Sequence, residues 1–349
     1  MQTIRGAMGS EDERLTRLDE KLAAVHLEGH WRLPEGGGGE PVPFAPPHRW
    51  DWPELRALLC EAGELQAIEG VGGRRTVRLC TPGLAAKWAT PTIHASVQLV
   101  KPGEVAAAHR HTLSALRFVI EGSGGYTTVD GAKLVMEPAD LILTPQWTWH
   151  DHGHDGDQPM MWIDGHDVPF TRYLNSIFFE GYPTLQQEVR IPDDLARRRI
   201  GAMRPFGVTP APGGQPHVYK GREALALLHG LGDDARDPCF GITLSYMDPL
   251  TGGSTLPTMS CRLSRLRGGE ETARHRRTAN LIYHVVAGSG TTRAGEIELT
   301  WREGDIFVVP GWTWHQHQAQ SSSDAVLFSM SDEPIANAFG LLRIQTKES

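Results

Sequence analysis

The sequence predicts an all-β protein made of two similar barrels in tandem, with a helical arm at the N-terminus. Glycine and proline supply 63 of the 349 residues, about 18%, against roughly 12% in an average protein. Short apolar runs alternate with turns, and one long stretch of chain occurs twice. So much turn chemistry disfavours a helical bundle and favours short strands in a sandwich or barrel.

Composition excludes several classes of protein. Lys and Arg number 34 and Asp and Glu 42, a formal net charge of −8, which argues against a nucleic-acid partner. An apolar content of 40% supplies a real core and excludes disorder. No apolar run approaches the roughly 18 residues of a membrane helix, so we expect no membrane partner. The first residues lack the apolar stretch of a signal peptide, so we expect a cytoplasmic protein.

An N-terminal helical arm is expected over residues 1–65. Ser10 followed by Glu13 matches a capping box, and the apolar residues from Leu15 to Val25 keep helical spacing. A proline-rich connector, PVPFAPP, and a second short helix complete the arm.

A tandem duplication organises the rest of the chain. The segments PQWTWHDH and PGWTWHQH are near copies. The landmark pairs, each separated by 165 or 166 residues, are Gly103 and Gly269, His109 and His275, Gly122 and Gly288, Pro145 and Pro310, and His150 and His315. Five landmarks at one offset indicate two copies of one domain.

Each copy has the pattern of antiparallel strands. Apolar runs such as LRFVIEG and ADLILTP are separated by Gly, Pro or Asp at intervals of about 8–12 residues. We expect a first barrel over residues 66–185 and a second over residues 237–349. Residues 186–236 are expected to link them, with a proline-rich segment, RPFGVTPAPGGQPH, and one helix, GREALALLHGL.

Three histidines of the first copy form a candidate metal site. His109 and His111 are two residues apart on a predicted strand, so both side chains point to one face. His150, after the proline turn, supplies a third imidazole from another strand. The set offers three nitrogens to one ion inside a barrel. The alternative is a pair of surface histidines before a turn.

The spacing of these residues resembles the two motifs of the cupin superfamily. The motifs are Gly103-x5-His109-x-His111-x10-Gly122 and Ala139-x5-Pro145-x4-His150. Most metal-binding cupins have a glutamate four or five residues after the HxH pair, where this chain has Ala115 and Leu116. A three-histidine site without the glutamate is a narrower signature.

Longer segments resemble the gentisate 1,2-dioxygenase family, which includes salicylate, 5-nitrosalicylate and 1-hydroxy-2-naphthoate dioxygenases. Among them are ATPTIHASVQLVKPGE and TPQWTWHDHGHDGDQPMMWIDGHDVP, and the likeness covers roughly residues 15–345. The resemblance implies a bicupin, that is, two tandem double-stranded β-helix (jelly-roll) barrels, with Fe(II) bound by His109, His111 and His150. It implies that O2 cleaves a small aromatic 2-hydroxy acid between the carboxyl- and hydroxyl-bearing carbons, in a homotetramer.

Arg117 is the candidate anchor for the substrate. Strand alternation from His111 directs it inward from the apolar run LRFVIEG. A buried guanidinium is costly unless an anion meets it, either a core Asp or Glu or a carboxylate on the ligand. The resemblance favours the ligand carboxylate.

Other pocket residues follow from alternation and from the resemblance. His94, Ser96 and Gln98 share one face of the preceding strand, and His150, His152 and His154 share another. The resemblance implies that Gln98 and His152 hold the substrate carboxylate or hydroxyl and that Asp164 lies near the opposite ring position. It also implies that Arg74 or Arg75 closes over the site. We expect His152 to move the phenol proton, His154 to lie at the rim, and Trp147 and Trp149 to be core residues rather than pocket walls.

Two positions depart from the usual gentisate dioxygenase pattern. That family typically has tryptophan at the position of His94 and glycine or alanine at the position of Ser96. An imidazole and a hydroxyl make that wall more polar and roomier. We therefore expect an unusual ring substituent, such as a nitro group or halogen on salicylate, or a larger bicyclic acid; gentisate stays a candidate.

The second copy departs from the metal pattern. Its HxH position is His275-Arg276-Arg277, which leaves only His275 and His315 as ligands. A permanent cation beside the site repels a metal ion, so we expect one iron per chain, in the first copy. The second copy is expected to be structural, its two histidines holding at most a weak adventitious metal.

Three rival functions share parts of this pattern. Zinc also accepts three imidazoles and activates water for hydrolysis. A non-enzymatic storage or ligand-binding bicupin needs no intact histidine triad. In a sugar isomerase or regulatory cupin, Arg117 binds phosphate or another anion.

Overall fold

The computed structural model describes residues 5–32, 39–68, 73–191, 217–248 and 251–347, with backbone alone up to residue 11. Residues 1–42 and 43–349 form two compact units. The predicted connector RPFGVTPAPGGQPH lies outside the described residues, except for its final histidine.

The first unit contains a long helix, as expected for the arm. Helix α1 (Arg5–Ala23) precedes a short 3-10 helix (His30–Arg32). The predicted start at the Ser10 capping box is wrong, because Arg, Ala and Met are good helix formers and the helix already begins at Arg5. On α1, Asp19 accepts hydrogen bonds from Trp31 Nε1 (3.1 Å) and Arg32 Nε (2.6 Å).

The first half of the second unit contains two antiparallel sheets that share a core. In spatial order, the six-stranded sheet contains β12 (His217–Tyr219), β8 (Leu141–Thr144), β5 (Ala115–Glu121), β10 (Met160–His166), β3 (His94–Val100) and β2 (Thr76–Arg78). The five-stranded sheet contains β11 (Phe179–Gly181), β4 (Val105–His111), β9 (His150–His154), β6 (Gly125–Val129) and β7 (Ala132–Val135). Apolar side chains of both sheets, among them Val119, Val129 and Trp162, form one buried cluster.

The second half repeats this arrangement. The seven-stranded sheet contains β1 (His48–Trp50), β20 (Ile306–Val309), β17 (Leu281–Ala287), β22 (Ala325–Ser331), β15 (Ser260–Leu266), β14 (Gly241–Tyr246) and β13 (Arg236–Asp237). The five-stranded sheet contains β19 (Ile297–Arg302), β18 (Ser289–Ala294), β21 (His315–Ala319), β16 (His275–Arg277) and β23 (Ile344–Thr346). The two-barrel, all-β prediction is confirmed.

Helices are few and short among the described residues of the second unit. They are α2 (Trp52–Leu65), α3 (Val168–Tyr173), α4 (Gly221–Gly230), α5 (Glu333–Ala338) and a 3-10 helix (Asp233–Ala235). Helix α2 begins with the Asp51 carboxylate accepting a hydrogen bond from the Glu54 backbone N–H (3.3 Å). Helix α4 is the helix predicted between the barrels. No helix in the described part of the chain is long and apolar enough to cross a bilayer.

Two strands cross the domain limits expected from the sequence. Strand β1 lies within the predicted arm but pairs with β20, far along the chain, so the arm of residues 1–65 divides at Val42. Strand β12 lies in the predicted linker but pairs with β8 of the first barrel. The limits of 66–185 and 237–349 for the two barrels stay predictions.

The two larger sheets share a second, more extensive core. Apolar side chains of β5 and β10 and those of β15, β20 and β22 belong to one buried cluster. At its centre the rings of Phe118 and Phe328 stack 4.0 Å apart. Strand β5 therefore directs Leu116 and Phe118 toward the other barrel and Arg117 into its own.

The glycines of the repeat occupy equivalent turns. Gly122 and Gly288 have φ angles of 92° and 81°, in the left-handed region. A Cβ atom would lie 2.3 Å from the Pro159 carbonyl oxygen at Gly122 and 2.5 Å from that of Asp324 at Gly288. In each barrel, therefore, the repeated glycine lies where two segments of the backbone approach too closely for any side chain.

Stability is expected to fall below neutral pH because the second barrel buries neutral histidines. Burial lowers the pKa of His284 to about 4 and that of His317 to about 3. Between pH 6.5 and pH 4 the unfolded chain binds protons that the folded chain does not, so the free energy of unfolding decreases as pH falls. The loss at pH 5 relative to pH 8 is about 2 kcal/mol for His284 alone.

Urea unfolding of the metal-free protein at the two pH values measures this loss. His284→Gln, which removes the titrating ring, is the control and should have a shallower pH dependence. Equal or greater stability at pH 5 in the parent protein contradicts the prediction.

Candidate metal centre and substrate pocket

The three predicted metal ligands meet inside the first barrel. His109 and His111 project from β4, and His150 opens β9, which pairs with β4 at His109. All three are buried, and each offers a ring nitrogen within 4.8 Å of the others. Among the described residues, no other group of three His, Cys, Asp or Glu side chains is placed to hold one ion. The alternative of surface histidines is therefore wrong.

Backbone carbonyls set the tautomer of each ring. Nδ1 of His109 lies 2.9 Å from the Ala107 oxygen, Nδ1 of His111 3.0 Å from the Leu113 oxygen, and Nδ1 of His150 3.0 Å from the Thr148 oxygen. Because a carbonyl only accepts, each Nδ1 carries the proton and donates it. Each Nε2 therefore keeps a lone pair for a metal ion.

Burial also keeps the three rings neutral. It lowers the pKa of His109 to about 3 and that of His111 to about 4, and moves the pKa of His150 well below its usual value. The Arg117 cation lowers all three pKa values further, and the Arg74 cation lowers those of His109 and His111. Neutral imidazole is the form that binds a metal, so the site is ready for one at neutral pH.

A cavity of about 200 Å³ adjoins the triad. Its other lining residues are Arg74, Thr76, His94, Ser96, Gln98, Leu113, Arg117, Asp164, His166, Val168 and Phe179. Most of the predicted substrate contacts are among them. The exceptions are Arg75 and His152.

Arg117 projects into this cavity, as strand alternation predicts. Its Nη1 donates to Thr144 Oγ1 (2.6 Å), and its Nε lies 3.4 Å from Asp164 Oδ1 on the neighbouring strand β10. Burial raises the pKa of Asp164 to about 6, although the Arg117 cation opposes the rise. The core carboxylate considered from the sequence is therefore present, but Nε has no hydrogen-bond partner among the described residues.

Of the two candidate arginines, Arg74 lines the cavity and Arg75 does not. Arg74 Nη2 lies 3.2 Å from His109 Nε2, the nitrogen that would bind the metal, and burial together with the Arg117 cation lowers the pKa of Arg74 to about 10. Arg75 instead donates to the Glu104 carboxylate (2.7 and 2.8 Å). Of the two alternatives left open by the sequence, only Arg74 is placed to contact a ligand in the cavity, because neighbours on an extended segment face opposite sides.

One wall of the cavity is polar. Strand β3 directs His94, Ser96 and Gln98 into it, as predicted. His166, for which no role was predicted, lies opposite His94 on β10, with ring centroids 5.7 Å apart. His94 Nε2, Gln98 Nε2 and His166 Nδ1 are buried without a hydrogen-bond partner among the described residues. Strand alternation could have identified His166, because it lies two residues after Asp164 on β10 and so faces the same side.

His152 lies behind the metal ligands. Its ring centroid is 6.0 Å from that of His150, and its Nδ1 lies 2.8 Å from Thr127 Oγ1. The Thr127 hydroxyl donates to Met136 Sδ (3.6 Å), so it accepts from His152 and leaves His152 Nε2 unprotonated. Nε2 has no partner among the described residues, and burial holds the pKa of His152 well below its usual value.

Three side chains differ from their predicted surroundings. His154 is buried, not at the rim, and its Nδ1 accepts from the Gly156 N–H (3.0 Å). Trp147 is 40% exposed, and Trp149 is only partly buried, so neither is a core residue. Both flank Arg110 on the outside of the barrel, because the turn that contains them directs its rings away from His150.

The second barrel keeps part of this geometry. His275 and His315 have ring centroids 4.2 Å apart, close to the 4.3 Å between His109 and His150. Their Nδ1 atoms likewise donate to backbone carbonyls, of Ala273 (3.2 Å) and Thr313 (2.9 Å). Arg277 stands where the third ligand belongs and donates to Glu333 Oε2 (2.7 Å).

Comparisons with known proteins agree with the fold and the site. Residues 96–166 and 262–331 match the model of the cupin domain. The chain is 37% identical to a 5-aminosalicylate 1,2-dioxygenase of Comamonas sp, covering 97% of this chain and 92% of the relative. It is 38% identical to gentisate 1,2 dioxygenase 1 of Aquipseudomonas alcaligenes, covering 93% and 94%.

A solved structure is similar over nearly the whole chain. It is the crystal structure of salicylate 1,2-dioxygenase from Pseudoaminobacter salicylatoxidans in its adduct with gentisate. That structure and this chain superpose with a TM-score of 0.88 and are 32% identical in sequence. The superposition covers 96% of this chain and 94% of that one. The resemblance stated from the sequence is confirmed.

Removing one imidazole is expected to abolish metal binding. His111→Ala leaves two ligands on a divalent ion, so metal content should fall from about one ion per chain to nearly none. Elemental analysis after dialysis against the divalent ion measures it. His275→Ala, a matched change in the second barrel, should keep the metal content of the parent protein. A His111→Ala protein with full metal content contradicts the site.

Proposed function

This chain belongs to the gentisate 1,2-dioxygenase family of aromatic ring-cleaving bicupin enzymes, and from that premise we propose its metal, substrate and residue roles. The substrate is a 2-hydroxybenzoate, gentisate or a substituted salicylate such as 5-nitrosalicylate. O2 opens the ring between the carboxyl- and hydroxyl-bearing carbons. The observation that carries the proposal is the buried histidine triad beside two arginines in one cavity.

The donor set fits Fe(II). Three neutral imidazoles would leave the ion its double positive charge, which suits an anionic substrate. His109, His111 and His150 would hold it through Nε2. When bound, Fe(II) supplies the redox connection between an electron-rich aromatic ring and dioxygen.

Charge selects an anionic substrate. Arg74 and Arg117 bring two cations to the cavity, and Asp164 is the one acidic side chain among its described lining residues. With a divalent metal the pocket is strongly positive, which matches a substrate carrying a carboxylate and a phenolate. Arg117 binds the substrate carboxylate with the guanidinium N–H groups that Thr144 does not occupy, and so fixes the orientation of the ring in the pocket.

The remaining predicted residues position the ring and its proton. Gln98 donates its unpaired Nε2 to the carboxylate or hydroxyl of the substrate. The transfer of the phenol proton to His152 stays a prediction, because His152 does not line the cavity and burial lowers the pKa of its ring. Asp164 lies near the ring edge remote from the carboxylate.

The polar wall favours a substituent that forms hydrogen bonds. His94 and His166 each have a buried, unpaired ring nitrogen, and Ser96 adds a hydroxyl beside them. An apolar ring edge leaves these groups unsatisfied, which is costly. Salicylates with a hydroxyl, amino or nitro group on that edge satisfy them, and the similarity to a 5-aminosalicylate dioxygenase supports this class.

Three other expectations stay predictions. They are the cytoplasmic location, the homotetramer and the role of the second barrel as a structural module. Light scattering of the purified protein measures the assembly directly.

An oxygen-uptake screen tests the proposed function. Protein loaded with Fe(II) should consume O2 with gentisate, salicylate, 5-aminosalicylate, 5-nitrosalicylate or 1-hydroxy-2-naphthoate, and a ring-opened product should accumulate. Protein loaded with Zn(II) should be inactive, since zinc has no redox chemistry. No uptake with any of the five acids contradicts the proposal, and uptake confined to the naphthoate supports the bicyclic alternative.

Loss of the Arg117 guanidinium is expected to affect both binding and turnover. Arg117→Ala should raise KM, lower kcat and reduce kcat/KM roughly 100-fold, because an anchoring contact to a charged group is removed. Steady-state kinetics measure the effect. Arg75→Gln is the matched control, because Arg75 is also a buried arginine but is directed away from the cavity. An unchanged KM in Arg117→Ala shows that the carboxylate binds elsewhere.

Changing the polar wall is expected to change substrate preference. His94→Trp removes one hydrogen-bonding group, so kcat/KM for 5-aminosalicylate relative to salicylate should fall about fivefold. Competition between the two acids in one assay measures the ratio. His284→Phe, which alters a buried histidine of the other barrel, should leave the ratio unchanged. An unchanged ratio in His94→Trp contradicts the role of the wall.

A further inference from the structure

Arg110, the residue between the two strand ligands, makes an unusual set of contacts on the outer face of the barrel. Its guanidinium carbon lies 4.4 Å from the ring centroid of Trp147 and 4.4 Å from that of Trp149. Its Nε and Nη2 donate to Glu180 Oε2 at 2.8 and 2.6 Å. We call Arg110, Trp147 and Trp149 the Arg110 clamp.

The clamp joins the chain segments that contain the metal ligands. Arg110 lies between His109 and His111 on β4, and the two tryptophans lie in the turn immediately before His150. Ladder pairing of β4 with β9 is irregular between Ala106 and His109 and ends at the pair His109–His150. The clamp therefore holds the two segments together at the point where the regular hydrogen-bond ladder does not.

The turn is held in a costly backbone conformation. Trp147 has a φ of 60°, in the left-handed region that bulky residues rarely adopt. Its N–H donates to the His111 carbonyl (2.8 Å), and the next residue, Thr148, provides the carbonyl that orients His150. Stacking of Trp147 on Arg110 therefore acts on the same short turn that fixes the third ligand.

The second barrel contains a matching clamp. Arg276 lies 4.2 Å from the ring centroid of Trp312 and 4.6 Å from that of Trp314, and Trp312 has a φ of 63°. Gln345 takes the place of Glu180 and accepts from Arg276 Nε (2.8 Å) and Nη2 (2.6 Å). This Arg276 clamp lies on the barrel that keeps only two of the three metal-ligand positions as histidine. It therefore serves as an internal control for effects of the clamp on stability alone.

We propose that the Arg110 clamp positions the metal ligands, so that its guanidinium sets the affinity of the first barrel for a divalent ion without touching that ion. The inference rests on the metal centre of the proposed function but not on its substrate. The guanidinium is flat and fits between two rings, whereas a glutamine or an ammonium group does not stack in this way. Without it, the turn and β4 move apart and the three nitrogens no longer converge before the ion arrives.

Matched variants in the two barrels separate positioning from stability. Arg110→Gln and Arg276→Gln each remove a guanidinium that lies against two tryptophan rings, so both should lower the Tm of the metal-free protein. Arg110→Gln also removes an ion pair with Glu180, whereas Arg276 bonds a neutral glutamine. Cobalt(II) is the probe, because its affinity is measured by competition with a chromophoric chelator and its absorption spectrum reports ligand geometry. Arg110→Gln should weaken cobalt binding at least about tenfold and alter the spectrum, as loss of a residue that orients metal ligands does. Arg276→Gln should change affinity less than twofold.

Three further variants keep the test decisive if Arg110→Gln does not fold. Trp147→Asn removes one ring while asparagine tolerates the left-handed backbone, and Trp312→Asn is its match in the second barrel. Glu180→Gln gives the first clamp the partner that the second clamp has, and should retain parental cobalt affinity. The proposal is overturned if Arg110→Gln and Trp147→Asn bind cobalt as tightly as Arg276→Gln and Trp312→Asn, or if the two changes in the second barrel weaken binding as much as those in the first. Because no substrate is used, neither result depends on the dioxygenase assignment.

Discussion

The site depends on one interaction, the hydrogen bond from each ligand's Nδ1 to a backbone carbonyl two residues away. An imidazole buried without a partner for its N–H loses about 1–3 kcal/mol, so the carbonyls make it feasible to bury three rings together. The same bonds direct every Nε2 lone pair to one side, toward a metal ion. His275 and His315 have equivalent bonds in the second barrel. Both copies of the repeat therefore supply oriented, neutral histidines. The residue at one strand position, His111 in the first barrel and Arg277 in the second, decides whether three ligands are present.

Charge in the first barrel is arranged around that metal site and is not balanced by the protein alone. Arg117 and Arg74 both line the cavity, and Asp164, 3.4 Å from Arg117 Nε, is the one carboxylate among its described lining residues. Two cations therefore face one carboxylate, and a substrate anion would balance the second cation. In the second barrel Arg262 and Arg277 likewise share Glu333.

The sequence was sufficient to predict the features that follow from spacing. Alternation along strands identified the pair His109 and His111, the inward direction of Arg117 and the face containing His94, because these side chains lie on strands; His150 followed from the spacing of the repeated motif. It did not choose between Arg74 and Arg75, since the choice depends on where the chain enters β2. It placed the tryptophans in the core because it carries no information on which way a turn directs its side chains. It placed His154 at the rim because it did not show that β9 continues, fully buried, to that residue. The start of α1 was missed because cap residues also occur inside helices.

Strand β1 has a consequence for how the polypeptide is made. His48 is paired with Val308, and Arg49 donates to Asp305, 256 residues later in the chain. During synthesis β1 leaves the ribosome early, but β20, the strand with which it pairs, is made only after most of the protein has been translated. The strand must wait unpaired, exposing its backbone, and contacts so distant in sequence slow the search for the native state. Completion of the second barrel is therefore a late event that requires nearly the whole chain.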